Sequence, residues 1–174
     1  WIDSGNSDNM LVIKNATVNI GGYRMSGGQL VVEGDSDVTI TADRLEMGQR
    51  DGRRASIYFK DSATLANPGR LFMIGSGYTR QTNYVRLQDT AQATFGEVSV
   101  LENASFCDGH GHSAHLEVSD GAQLQSTGHM YVMRSTYDGG RSGTLYAYAQ
   151  VDQQGGTVTV DGDLRMGDSN DDNE

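Results

Sequence analysis

Six phrases along this chain nearly repeat one another, and no other feature narrows the possible folds as much. The phrases "VTITADRLEMG" (38–48), "ATLANPGRLFMIG" (63–75), "AQLQSTGHMYVM" (122–133) and "VTVDGDLRMG" (158–167) share an alternating apolar run, a polar step and a second run carrying methionine. Looser copies are "ATVNIGGYRMSGG" (16–28) and "AQATFGEVSVL" (91–101). Ahead of most copies stands an apolar pair: Leu30/Val32, Ile57/Phe59, Val85/Leu87 and Leu116/Val118. A turn residue follows each pair two positions later, namely Gly34, Asp61, Asp89 or Asp120. The pair starts step by 27, 28 and 31 residues, and a further step of 29 reaches Leu145. The repeat is therefore about 28 residues, the range in which repeats stack into solenoids.

Within a repeat the apolar residues alternate with polar ones, as in Leu30/Val32, Val38/Ile40 and Leu45/Met47. A period of two marks strands with one buried face. Polar turn clusters such as "KDSAT" and "SDGAQ" separate the runs, and no segment carries twelve residues of helical periodicity. Each repeat thus predicts three short strands. Three short strands cannot bury an apolar face alone, whereas stacked copies can. The expectation is one all-β domain over 1–174, a right-handed parallel β-helix (β-solenoid) of about six coils. The alternative is a β-sandwich, which strands at this spacing also fit.

The phrase "GGTVTVDGDLRMGDSN" (155–170), with "LVVEGDSDVTITADRLEMG" and "LEVSDGAQLQSTGHMYVM", resembles the autotransporter-associated β-strand repeats of bacterial surface proteins. That resemblance spans about Leu30 to Asn170 and implies a right-handed β-helix, export to the cell surface and a structural or adhesive role. It implies no catalytic residues.

Composition narrows the partners. The 174 residues carry a formal net charge of −10, which disfavours nucleic acid and anionic lipid. No run approaches a membrane span, so direct membrane insertion is not expected. A single cysteine excludes an internal disulfide framework. The chain opens on Trp1, as a processed or excised piece would, and no polar cap is visible at either end. Uncapped coils invite pairing with another copy or with flanking repeats of a longer parent chain. The leading expectation is accordingly a non-enzymatic structural element of an extracellular filament, stalk or surface layer. A second is an adhesin whose loops bind glycan or a partner protein, and a distant third is a β-helix polysaccharide lyase or hydrolase.

Four polar inserts follow the third strand of successive repeats: "QRDGRRAS", "SGYTRQTN", "ENASFCDGHGHSAH" and "RSTYDGGRSGT". In a stacked repeat such inserts emerge together, on the face where recognition is expected. Arg50, Arg53, Arg54, Tyr78, Arg80, Tyr84, Tyr137 and Arg141 are the binding candidates, being residue types enriched at interfaces. Cys107, His110, His112 and His115 are candidate ligands for a soft divalent ion such as zinc, with His129 near by in the same repeat. Against that reading, a solvated loop carries such residues without any task. The acidic segment with Asp161, Asp163, Asp168, Asp171 and Asp172 is a candidate calcium site, although it lacks an EF-hand spacing and also reads as a solvated charge run. The fold requires no cofactor. Sequons stand at Asn15 and Asn103. Met25, Met47, Met73, Met133 and Met166 recur at third-strand ends, as core packing in register would place them.

Overall fold

A computed structural model describes residues 9–25, 27–41, 43–47, 54–74, 82–102, 112–135 and 147–169. Its described residues form strands joined by tight corners, without a helix. Sixteen strands follow the predicted triplets. They are β1 (Met10–Lys14), β2 (Thr17–Ile20) and β3 (Tyr23–Met25); β4 (Gly28–Glu33), β5 (Asp37–Ile40) and β6 (Arg44–Met47); β7 (Ala55–Phe59) and β8 (Thr64–Ile74). Then come β9 (Thr82–Leu87) and β10 (Gln92–Glu102); β11 (His112–Ser119), β12 (Gln123–Ser126) and β13 (Met130–Ser135); β14 (Ala147–Gln154), β15 (Thr157–Val160) and β16 (Leu164–Ser169).

The strands form two sheets. One runs β1-β4-β7-β9-β11-β14, and the other runs β2-β5-β8-β10-β12-β15 with β3, β6, β13 and β16 continuing it. Among the described residues every ladder is parallel, and the one antiparallel contact is an isolated bridge between Ser119 and Gly155. A sandwich of antiparallel strands is thereby excluded. The described chain passes through the first sheet six times, and each passage opens one coil.

The register explains the repeat. Leu11, Leu30, Ile57, Val85, Leu116 and Val151 pair in one continuous column. Ile13, Val32, Phe59, Leu87 and Val118 form the next inward column. Leu30, Val32, Ile57, Phe59, Val85, Leu87, Leu116 and Val118 are all fully buried. Each such side chain contributes roughly 1.5–3 kcal/mol by leaving water. The sixth coil departs from the expected spacing: Val151, not Leu145, stands opposite Leu116. The connection before β14 is longer than its predecessors, so constant spacing falls short of the true register. Leu145 itself lies outside the described residues. The third coil and the fourth also differ from three short strands. There β8 and β10 run through the second corner as single strands of 11 residues. The backbone bends at a register shift between Phe95 and Glu97 instead of breaking. Gly96 sits at this bend, where an added Cβ would collide with the Pro68 carbonyl oxygen.

The corner after the first strand is the most regular feature. Asn15, Gly34, Asp61, Asp89, Asp120 and Gly155 all have positive φ, from 50° to 80°. This left-handed conformation turns the chain sharply from one sheet to the other. Asn and Asp tolerate it better than other side-chain-bearing residues because they hydrogen-bond locally. The Asp61 and Asp89 carboxylates tie one coil to the next. The Gly34 amide donates to Asp61 Oδ2 at 2.9 Å, and the Asp61 amide donates to Asp89 Oδ2 at 3.1 Å. Backbone bonds between coils continue the ladder: Thr90 N to the Asp61 carbonyl at 2.9 Å, and Gly121 N to the Asp89 carbonyl at 2.7 Å. Immediately after the corner, Ser36, Ala63, Ala91 and Ala122 stack as a buried column of small residues. Larger side chains there would force the coils apart.

In the third column Met25, Met47 and Met73 stand in register, as do Met133 and Met166. Met25 and Met47 are core residues. Met133 is half-buried, however, and Met166 is 76% exposed, so the expected methionine core does not extend to the last coil. The reason is positional, since β16 is the outermost strand of its column and pairs only with β13.

Two outcomes follow. Replacing Asp89 by Ala places a side chain that cannot bond locally at φ 61° and removes the acceptor for Asp61 N, so chemical denaturation should show a loss of about 1–3 kcal/mol. Asp89→Gly, which relieves φ, should lose less; an Ala variant as stable as the Gly variant would refute the strain. Tyr23 is 2% exposed, and burial pushes its phenol from 10.0 up to about 12. A raised folded-state pKa means the folded chain holds this proton more tightly. Its stabilising effect is therefore present below 10.0 and disappears as pH rises toward about 12. Tyr23→Phe should flatten the alkaline limb of stability against pH, as read by denaturant midpoints across that window.

Candidate functional site

Alternation gives the first sheet an outer face as regular as its core. Outward positions in adjacent coils lie about 4.8 Å apart, so their side chains touch although they are distant in sequence. Gln29, Ser56, Tyr84, His115 and Gln150 form one outward column, and Val31, Tyr58, Arg86, Glu117 and Asp152 form its neighbour.

A linked series of side chains crosses these columns. The Arg54 guanidinium carbon lies 4.6 Å from the centre of the Tyr84 ring, and the Tyr84 and His115 rings are 5.1 Å apart at 53°. His115 Nε2 lies 3.0 Å from Asp152 Oδ2. The same oxygen accepts from Gln150 Nε2 at 2.8 Å, and the Tyr148 hydroxyl donates to Gln150 Oε1 at 2.8 Å. Beside this series Arg86 donates from two nitrogens to Glu117 Oε2, at 2.9 and 2.7 Å. The hydrogen bond from Gln150, with smaller contributions from His115, holds the Asp152 carboxyl below the usual carboxylate range against a modest cost of burial. Asp152 is therefore an anion at neutral pH.

A second cluster lies on the third column. Tyr131 is only 5% exposed although it sits at an outward position, because the Arg134 guanidinium covers its ring at 4.6 Å and Arg165 approaches at 5.7 Å. Glu97 Oε1 stands between Arg70, at 3.4 Å, and Arg134, at 3.6 Å. Asp163 Oδ2 accepts from Arg165 at 3.1 Å. The Asp163 amide donates to His129 Nδ1 at 3.0 Å, so that nitrogen carries no proton and its 3.6 Å approach to the Asp163 carboxylate is not an ion pair. This cluster links the third coil through to the sixth.

The expected candidates separate accordingly. Arg54 and Tyr84 come together, though Tyr84 is a strand residue of β9 and not part of a loop. Arg50, Arg53, Tyr78, Arg80, Tyr137 and Arg141 lie outside the described residues. Of the zinc candidates, Cys107 and His110 lie outside them as well, and His112 is described only as backbone of β11. His115 is on the same strand with its Nε2 engaged by Asp152. His129, the further histidine considered, pairs instead with Asp163. Among the described residues no three His, Cys, Asp or Glu side chains form a group able to hold a metal ion. Of the calcium candidates, Asp161 accepts from Gln125 Nε2 at 3.1 Å and Asp163 is engaged as above. Asp168 is backbone of β16, while Asp171 and Asp172 lie outside the described residues. Sequence reasoning missed Tyr148, Gln150, Asp152 and Glu117. Only the coil register places them together, and the longer last step displaces β14 from where constant spacing puts it.

The causes of the Asp152 shift can be tested. Gln150→Ala and His115→Ala should each raise the carboxyl titration of Asp152, followed by carbon-detected NMR. An unchanged titration in the Gln150 variant would refute the part assigned to that hydrogen bond. No protein-family model, curated protein or solved structure matches this chain.

Proposed function

We propose that this chain is a structural β-solenoid element of an extracellular filament, stalk or surface layer, continued end to end by further coils of the same kind. The carrying observation is the apolar surface of the sixth coil: Leu164 and Met166 on β16 are 58% and 76% exposed. They occupy the inward positions that Met130 and Met133 fill one coil earlier. An inward position left open is the surface on which another coil packs.

Away from β16 the first coil supplies side chains of matching kind at the inward positions. Set against the sixth, it brings Leu11 to Val151, Ala16 to Gly156, Val18 to Val158 and Ile20 to Val160. Leu11, Val18 and Ile20 are themselves only partly buried, and β2 and β15 show the same half-buried alternation. Both coils also turn the first corner with two residues, Asn15–Ala16 and Gly155–Gly156, where the four between them use three. The added coil comes either from a second copy or from flanking repeats of a longer chain. Joining unlike ends is a heterologous contact, which grows into filaments instead of closing into a ring. A right-handed path accords with the strong preference of parallel crossovers for that hand. The resemblance of "GGTVTVDGDLRMGDSN" to surface-protein repeats accords with export and a place on the cell surface.

The purified chain should form rods of constant width by negative-stain microscopy, with mass rising with concentration in light scattering. A Leu164→Lys/Met166→Lys double variant should keep its circular dichroism and lose the rods. If this chain stays monomeric at high concentration, end-to-end assembly of separate copies is overturned.

A further inference from the structure

The outer face of the last two coils carries an array that the packing of the coils does not require. Tyr148 is a large aromatic residue, 59% exposed, on the outermost strand of the first sheet. An exposed tyrosine ordinarily leaves its hydroxyl to water and its ring free to turn. Here the hydroxyl is fixed to Gln150 Oε1, Gln150 Nε2 is fixed to Asp152 Oδ2, and His115 Nε2 meets the same oxygen. The result is a standing ring beside three planar polar groups, all held before any ligand arrives.

Each polar group keeps capacity to spare. Among the described residues, Asp152 Oδ1 and His115 Nδ1 have no hydrogen bond, Gln150 Nε2 uses one of its two protons, and the Tyr148 oxygen accepts from nothing. A fixed aromatic face next to closely spaced donors and acceptors suits a ligand with an apolar flank and several adjacent hydroxyls, each of which both donates and accepts. Pre-organisation removes most of the ordering cost of binding such a ligand. The charges select further. Asp152 is ionised, Arg86 two strands away is engaged by Glu117, and Arg54 lies three coils from β14 on the Tyr84 ring, so the charge beside Tyr148 and Gln150 is the Asp152 carboxylate. An acidic sugar would meet a carboxylate.

We propose that Tyr148, Gln150, Asp152 and His115 form a binding site for a neutral oligosaccharide, with a pyranose ring stacked on Tyr148 and its hydroxyls bonded to Gln150 and Asp152. The site lies on the strand face and not on the corner loops. It is separate from the inward residues Leu164 and Met166, so it neither needs end-to-end assembly nor fails with it.

Isothermal titration calorimetry with neutral hexasaccharides of glucose, xylose and mannose, and with an oligogalacturonate as the acidic counterpart, tests the site. At least one neutral hexasaccharide should bind saturably, and the oligogalacturonate should not. Tyr148→Ala should weaken binding by roughly tenfold or more. Tyr148→Phe, which keeps the ring and loses its tether, should weaken it less, and Asp152→Asn should weaken it while leaving the circular dichroism unchanged. No saturable binding to any neutral hexasaccharide, tighter binding of oligogalacturonate, or equal affinity in Tyr148→Ala would each overturn the proposal.

Discussion

The structure depends on one backbone conformation repeated six times. Asn15, Gly34, Asp61, Asp89, Asp120 and Gly155 each turn the chain from the first sheet to the second through positive φ. Because that turn occupies the same place in every coil, the strands before and after it stay in register with their counterparts. The side-chain oxygens of Asp61 and Asp89 accept from the backbone of the preceding coil, so the corner also couples neighbours. The choice between Gly and Asp at this position is itself local. At Gly34 an added Cβ would collide with Asn15 Oδ1, which is already accepting from the Asp35 amide at 3.0 Å.

Once the corner fixes register, core and surface follow from the same alternation. Inward columns of like residues stack as one buried core because each coil offers the shape of the one before it. Outward columns bring together residues one or two coils apart in sequence, and complementary pairs arise wherever the types agree. Lys14 with Glu33 at 3.0 Å and Arg86 with Glu117 are such pairs. Exposed cross-strand pairs contribute only tenths of a kcal/mol to about 1 kcal/mol each, so they tune a register that the core has already set.

What the sequence made legible was whatever repeats. The pairs Leu30/Val32 through Leu116/Val118, the turn residues after them and the alternation within each phrase lead directly to the stacked strands. What it hid falls into two kinds. Lengths that vary between coils hid the register of β14, because a spacing of 27 to 31 residues does not announce a step of 35 from Leu116 to Val151. Corners bent without turn chemistry hid the continuity of β8 and β10, where Pro68 and Gly96 look like breaks and act as bends. The candidate site suffered from both. Tyr84 and His115 drew notice as members of polar segments, but their relation to each other and to Asp152 exists only across three strands. The histidines that suggested a metal loop divide at the start of β11, where His115 leaves the insert and joins a strand face.

A stacked-coil architecture also lets structural and binding roles coexist without competing for the same residues. The proposed assembly would draw on inward side chains at the outermost coils, and the proposed recognition on outward side chains of the first sheet. Adjacent residues of one strand keep the two apart: on β14, Val151 points into the core column while Gln150 and Asp152 point out. A change in one set leaves the other in place, because alternation sends neighbouring side chains to opposite faces. The outer face can therefore diversify from coil to coil, as it does from Val31 through Tyr58 and Arg86 to Glu117 and Asp152, while the inner columns stay nearly constant.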